Sequence, residues 1–341
     1  MKLIKEADFR KEIKSSPDKA YLFFGEEDYM KQFAISLAKQ TISADSAFSF
    51  FNEIKFDSLT YSPEALLDAI MTLPMATEKK IIILSDLIFN GTQAIDIDSF
   101  CDVLSTLDEY DYNVVIINTS PDSFDVGNLP KKPSSAFKKL TEHATAVQFS
   151  KNSPQKLVAW VEKHYAHNGV SASPELCALT IERCSRDMFT LASETDKISF
   201  FVLSRGRSVV TREDIMTVSS PVAEYQAFAL TNAIGKRQKD LALNILKDMK
   251  QRRLDPIMIM GEISKSVCDI YSVNSLSAEG LTVQEIASVL HMSEFPVTLI
   301  LKNNISQEIC KNMIEKSRDC DLELKLGKNG FLLLEKLICS I

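Results

Sequence analysis

The sequence predicts an α/β domain built on a mainly parallel sheet, followed by two domains made of helices. Three observations carry this expectation. Over the first 150 residues, short β-branched or aromatic runs alternate with helical patterns; after Phe149 the texture becomes helical; and from Glu224 onward every periodic segment is helical, with breaks that contain Gly235, Gly280, Gly327 and Gly330. A chain of 341 residues exceeds one ordinary core. The expected boundaries are 1–149, 150–218 and 219–341.

In the first domain, strands are expected at 21–24, 51–56, 80–84, 114–118 and 146–149. Between them lie helical patterns at 28–40, 63–72, 95–107 and 135–142. Ser62-Pro63-Glu64 reads as an N-cap followed by proline in the first turn. The second domain opens at Ser153-Pro154, with Leu157, Val158, Trp160, Val161 and Tyr165 on its first helix. Ser173-Pro174-Glu175 starts a helix through Arg183, residues 188–203 supply another, and Thr211-x-x-Asp214 is a capping-box pattern before a short one. The third domain is read as helices at 225–234, 239–249, 255–273, 282–290, 296–303, 306–326 and 331–338.

Acidic and basic residues are unevenly spread: 23 against 15 over residues 1–150, 8 against 9 over 151–222, and 15 against 15 over 223–341. The acidity lies in the first domain. A stand-alone DNA binder usually shows a basic surface, because phosphate neutralisation supplies most non-specific affinity, and that signal is missing. The segment from Met1 to Phe9 lacks the apolar region of a signal peptide, and no stretch is apolar enough to span a bilayer, so the expectation is a soluble, intracellular, cytoplasmic protein with no membrane partner. Seven cysteines lie far apart with no Cys-x-x-Cys pair, which fits buried thiols in a reducing compartment. His164 and His167 share a helix face without a nearby third ligand, so no metal site is expected.

The first strand runs into Gly25-Glu26-Glu27-Asp28-Tyr29-Met30-Lys31 and then a helix, the position of the phosphate loop in ATP-binding proteins. Such a loop needs a second glycine and a Ser or Thr after its lysine; Lys31 is followed by Gln32. Three acids here oppose a polyphosphate, whereas at a helix N-terminus they favour the dipole. The strand 81–84 leads to Ser85-Asp86, a degenerate magnesium pattern in which Leu87 stands where a hydrolase needs a second acid. Gly25, Lys31 and Asp86 therefore outline a non-functional nucleotide site, with no catalytic residue and no cofactor expected.

Residues 282–290, the turn His291-Met292-Ser293 and residues 296–303 have a helix-turn-helix layout. The second helix offers Pro296-Val297-Thr298-Leu299-Ile300-Leu301 with Lys302 its one cation, a composition suited to packing rather than base reading. Cations do cluster at Lys236, Arg237, Lys239, Lys247, Lys250, Arg252 and Arg253, diluted by Asp240 and Asp248. A solvated helix face accounts for them. The competing reading is a helix-turn-helix regulator with an ATPase-like domain.

Five landmarks, in order, carry a family resemblance over essentially the whole chain. They are Tyr21-Leu22-Phe23-Phe24-Gly25; Leu73-Pro74-Met75 followed by Lys79-Lys80 and the strand 81–84; Leu191-x-x-Glu194-x-x-Lys197-Ile198 with Thr211 to Ile215; Ala227-Phe228 through Ala233 with Ala242-Leu243-x-x-Leu246; and Asp321-x-x-x-Lys325-x-Gly327 closing on Leu334-Glu335-x-Leu337-Ile338. In this order the chain resembles the bacterial DNA polymerase III clamp loader delta subunit family.

The resemblance implies an AAA+-like N-terminal domain with a degenerate phosphate loop, a small helical lid and an all-helical collar. It implies a non-catalytic subunit of the DNA polymerase III holoenzyme that binds and opens the beta sliding clamp for loading onto primed DNA. Its partners would be the clamp, the ATPase subunits and delta-prime through the collar, and primed DNA within the assembled loader. The missing cysteine zinc module and Ser-Arg-Cys motif, with Ser185-Arg186-Asp187 no substitute, point to delta among the loader subunits. An apolar pair before the central strand grips the clamp in this family, which carries that role to Leu73 and Met75, with Met71 in the same segment. Met75 replaces the usual aromatic residue, and a flexible thioether suits an adaptable interface. From the residues alone, Leu73 and Met75 pack at the end of the helix that begins at Pro63. DNA-facing roles for Lys247, Lys250, Arg252 and Arg253 follow only within an assembled loader.

Overall fold

The computed structural model describes residues 2–43, 48–91, 94–292 and 294–340; Met1 and Ser293, both named above, lie outside the described residues. It divides into two compact units, Met1–Lys156 and Leu157–Ile341.

The first unit is built on a six-stranded sheet. Its strands are β1 (Leu3–Lys5), β2 (Ala20–Phe24), β3 (Glu53–Phe56), β4 (Lys80–Ser85), β5 (Asn113–Asn118) and, after a two-stranded hairpin of β6 (Gly127–Asn128) and β7 (Lys132–Pro133), β8 (Thr145–Gln148). The order across the sheet is β1-β8-β2-β5-β4-β3, and every pairing is parallel. Parallel strands need crossovers, and helices provide them. These are α1 (Glu6–Ser15), α2 (Asp28–Ile42), α3 (Ser49–Asn52), α4 (Pro63–Met71), α5 (Ile97–Ser105) and α6 (Ser135–His143). With helices on both faces, the central strands are buried throughout, which explains their unbroken apolar runs Ala20–Phe24 and Ile81–Leu84. On one face Leu22, Phe24, Ile82, Leu84, Val115 and Ile117 meet Leu66 and Ile70 of α4, Phe100 and Leu104 of α5, and Phe137 and Leu140 of α6. On the other, Phe9 stacks edge-on between Tyr21 and Phe23, with ring centroids 4.9 Å apart in each pair.

Two differences from the sequence expectation stand out. β1 and α1 were not anticipated: Leu3-Ile4-Lys5 is only three residues long and half-exposed, too short for a periodic signal. Residues 51 and 52, expected as the start of a strand, belong to α3, and the strand begins at Glu53. The cause is Asn52, whose buried side chain is held by a distant loop described below.

The second unit contains α7 (Pro154–His167), α8 (Pro174–Cys184), α9 (Met188–Ser204), α10 (Arg212–Val218), α11 (Ala223–Gly235), α12 (Lys239–Gln251), α13 (Pro256–Ala278), α14 (Val283–Val289), α15 (Glu294–Asn303), α16 (Gln307–Lys325) and α17 (Gly330–Ser340). Their starts follow the cap chemistry of the sequence. Ser173 Oγ accepts from the Leu176 N–H, while Thr211 with Asp214 and Thr282 with Glu285 form complete capping boxes. Two apolar clusters hold the C-terminal helices. Leu230, Leu246, Met260, Ile263, Met313 and Leu334 belong to one; Ile270, Val273, Ile286, Val297, Ile300 and Ile305 belong to the other. Arg183 joins α8 to the segment before α11, since its buried guanidinium donates to Ser219 Oγ at 2.6 Å and to the Met216 carbonyl at 3.1 Å. Among the described residues no helix is long and apolar enough to cross a membrane.

Candidate functional site

α4 runs antiparallel to the strands it connects, so its C-terminal end and the loop into β4 lie at the N-terminal edge of the sheet. A helix end leaves carbonyls without intrahelical partners. Here polar side chains from the starts of β4 and β5 converge on them. Lys80 Nζ donates to the carbonyls of Ala69 and Thr72, Asn113 Nδ2 donates to the Ile70 carbonyl at 3.0 Å, and Tyr112 Oη donates to the Met71 carbonyl at 2.9 Å. Lys80 is fully buried, and burial pushes its ammonium down to about 8. Its Nζ also lies 5.4 Å from the centroid of the Tyr112 ring.

Beyond that end the chain turns outward as Leu73-Pro74-Met75, with Ala76 at φ 58°. Asn52 then takes both backbone groups of Met75: Nδ2 donates to the Met75 carbonyl and Oδ1 accepts from the Met75 N–H, each at 2.7 Å. The side chains point the other way. Leu73 is 73% exposed, Met71 49% and Met75 45%. Leu73 and Met75 do not pack at the end of α4, the position their residue types alone suggested; they form a bare apolar tip on a backbone tied down at five hydrogen bonds or more. The neighbouring Phe50 and Phe51 of α3 are exposed as well, edge-on to each other at 5.5 Å.

The C-terminal edge of the sheet has a different chemistry. Gly25 adopts φ +113°, and a Cβ added there would stand 2.2 Å from the Phe149 carbonyl oxygen. The Glu27 N–H donates to that same oxygen at 3.2 Å, so a backbone donor that a phosphate loop would aim at its ligand is bonded to the chain. Lys31 is buried, with Nζ donating to the Thr119 carbonyl at the end of β5 and paired with Asp28 Oδ1, both at 2.7 Å. A cleft of about 580 Å³ opens beside this loop. The charged residues on its walls are Glu26, Asp125 and Lys151, and Lys151 is itself 3.4 Å from Glu26. The structure brings Gly25 and Lys31 together around the end of β2. Asp86, exposed at φ 58°, follows β4 on the far side of β5.

Residues 21–150 match the family model described as DNA polymerase III, delta subunit, and residues 224–341 match the one described as DNA polymerase III delta subunit, C-terminal domain; together these span more than half of the chain. The chain belongs to the DNA polymerase III delta subunit family. Among solved structures, this family member is similar to the Bacillus subtilis DNA clamp loader delta protein, with a TM-score of 0.59, 21% identity and 98% of each chain covered. It is also matched, at a TM-score of 0.37 and 15% identity over 98% of this chain and 97% of the other, by a DNA polymerase III gamma subunit-related protein from Thermotoga maritima. RuvB of Thermotoga maritima matches at a TM-score of 0.39 and 9% identity, covering 86% of this chain and 82% of that one. No curated protein matches the chain. The fold is AAA+-like: a parallel α/β sheet flanked by helices, with a helical C-terminal part.

In the delta-family collar region, Lys247, Lys250, Arg252 and Arg253 are exposed at the end of α12. Arg252 Nε lies 3.2 Å from Asp248 Oδ2, and Lys250 Nζ lies 5.3 Å from the centroid of the Phe331 ring. The remaining cations of that cluster face other helices, Lys236 donating to Asn303 Oδ1 and Lys239 to the Cys339 carbonyl. α15 buries Val297 and Ile300 in the second apolar cluster, so its apolar face packs inward. Sequence reasoning missed Asn52, Lys80, Tyr112 and Asn113. Their hydrogen bonds to the tip join positions 8 to 43 residues apart, and only the asparagine and lysine ahead of apolar strands hinted at buried polar anchors.

Proposed function

We propose that this chain binds and opens the beta sliding clamp through Met71, Leu73 and Met75, for loading of the clamp onto primed DNA. One observation carries the reading: an exposed apolar tip stands on a backbone whose carbonyls and N–H groups are satisfied from within. Solvent-facing leucine and methionine gain little from this fold and much from a partner's pocket. Burying each would contribute about 1.5 to 3 kcal/mol, the size of an interface hot spot. Opening a ring requires tighter binding to the open form than to the closed one, and ATP on neighbouring subunits would govern access to the tip.

In this reading the chain acts without hydrolysing ATP. Lys31 and the Glu27 N–H are bonded to Thr119, Asp28 and Phe149, which supports that view. The three-part plan of clamp-binding domain (1–149), lid (150–218) and collar (219–341) belongs to the same proposal, with the collar meeting ATPase subunits and delta-prime. Lys247, Lys250, Arg252 and Arg253 would face DNA only in that assembly.

The test is capture of the purified sliding clamp and unloading of clamp rings from circular DNA, with no ATP present. Leu73→Ala combined with Met75→Ala is expected to abolish both while the thermal melt is unchanged, since the side chains are exposed. Capture at the wild-type level would sink the assignment.

A further inference from the structure

We infer that Asn52 is a positioning residue that presets the tip for its partner; this rests on the clamp-binding reading above. Asn52 is fully buried, one residue before β3, and its amide is matched to Met75 in both directions at 2.7 Å. A side-chain amide bonded to both the N–H and the C=O of one residue imitates a strand partner and fixes that residue's backbone. Met75 is the last apolar side chain of the tip, and Ala76 after it sits in the left-handed region at φ 58°. Without Asn52 the segment from Leu73 to Ala76 would be anchored only on the α4 side, through Lys80 and Tyr112. Binding would then have to order the loop as well as bury its side chains.

The pairing also explains a local conformation. α3 bends residues 49–52 into a helical turn directly ahead of a strand, and Asn52 ends that turn with its amide facing the tip. Phe50 and Phe51 are carried to the surface on the same turn. The geometry makes the tip a two-point mount, held on one side by the end of α4 and on the other by α3.

The experiment measures affinity of the full chain for the purified sliding clamp, together with hydrogen exchange at the Met75 amide, for wild type, Asn52→Ala, Asn52→Ser, Asn52→Asp and the Leu73→Ala/Met75→Ala pair. Serine keeps a polar group at the buried site but is too short to reach Met75, which guards against a variant that fails to fold. Asn52→Ala and Asn52→Ser are expected to weaken capture about tenfold, equivalent to about 1.4 kcal/mol, and to expose the Met75 amide while exchange in β4 is retained. Asn52→Asp keeps the acceptor but turns an anion toward the Met75 carbonyl, so it is expected to bind no better than alanine. In the Leu73→Ala/Met75→Ala background, Asn52→Ala should change nothing further. Wild-type affinity with an unprotected Met75 amide, or weakened affinity with that amide still protected, overturns the inference. Wild-type affinity of Leu73→Ala/Met75→Ala overturns the underlying reading instead, so the two failures are distinguishable.

Discussion

Replacing Lys80 by methionine tests the idea that a buried ammonium holds the end of α4. Burial lowers the Lys80 ammonium from its usual 10.5 to about 8, a difference of about 2.5. At 1.36 kcal/mol for each pKa unit, the charged form costs the fold about 3 kcal/mol. The unfolded chain holds this proton up to its ordinary pKa and the folded chain releases it near 8. Between those values the unfolded state binds more protons, so wild-type stability rises with pH through that window; below it the whole cost is present. Lys80→Met removes the cost and the pH dependence together. It also strips the Ala69 and Thr72 carbonyls of their donor, at about 1 to 3 kcal/mol for each carbonyl left unpaired. These opposing effects nearly cancel at neutral pH, so the diagnostic quantity is the change of the difference with pH. Wild type should gain about 3 kcal/mol on the mutant between pH 7.5 and 10.5. Because the chain has two compact units, the measurement should be local: hydrogen exchange of the β4 peptides in both proteins at matched pH. A lysine Cε resonance that titrates near pH 8 and vanishes in the mutant gives the pKa directly. A flat stability difference, or a resonance titrating above pH 10, would refute the reasoning.

Asp214 is buried, accepts from Arg207 and Thr211, and is held by the Arg207 guanidinium well below the usual carboxylate range. Its stabilisation is present above the unfolded carboxylate pKa and is lost as pH falls below about 4. Asp214→Asn should therefore destabilise the second unit by about 1 to 2 kcal/mol at pH 7, discounted for the partly exposed arginine, with the gap to wild type closing in acid urea melts. Gly25→Ala places a Cβ against the Phe149 carbonyl and forces alanine to a positive φ; a loss of about 1 to 3 kcal/mol in the urea melt of the first unit is expected, and an unchanged melt would contradict the close approach.

The legible part of this protein is what local chemistry decides. Ser62, Ser173 and Thr211 each sit at a helix start and cap it with their own oxygen, as their sequence patterns predict. The strands 80–84 and 114–118 are readable because a sheet covered on both faces leaves no solvent side to break an apolar run. Phe51-Asn52 misleads for the opposite reason. An aromatic before Glu53-Ile54 reads as strand, but the conformation there is set by Met75, 23 residues later in sequence. Leu73 and Met75 were identified by family resemblance, whereas their own residue types favoured packing. An apolar side chain carries no mark that distinguishes core from tip; that distinction lies in where the backbone bonds of the loop go.

The two edges of the sheet divide the chemistry. In an open parallel sheet, ligands ordinarily sit beyond the C-terminal ends of the strands. At that edge this chain bonds its own groups: the Phe149 carbonyl meets the Gly25–Glu27 loop, and the Thr119 carbonyl takes the ammonium of Lys31. A polyphosphate arriving there would have to displace a buried lysine from two partners while facing Glu26 and Asp28. The N-terminal edge does the reverse. Asn52, Lys80, Tyr112 and Asn113, from the starts of β3, β4 and β5, all use their polar groups on one short segment, so that segment needs nothing from solvent for its backbone. What it leaves exposed is apolar. Since the two edges lie at opposite ends of the same rigid strands, nucleotide on a neighbouring subunit would act on the proposed grip by moving this domain as a body, changing what covers the tip rather than the tip's own shape.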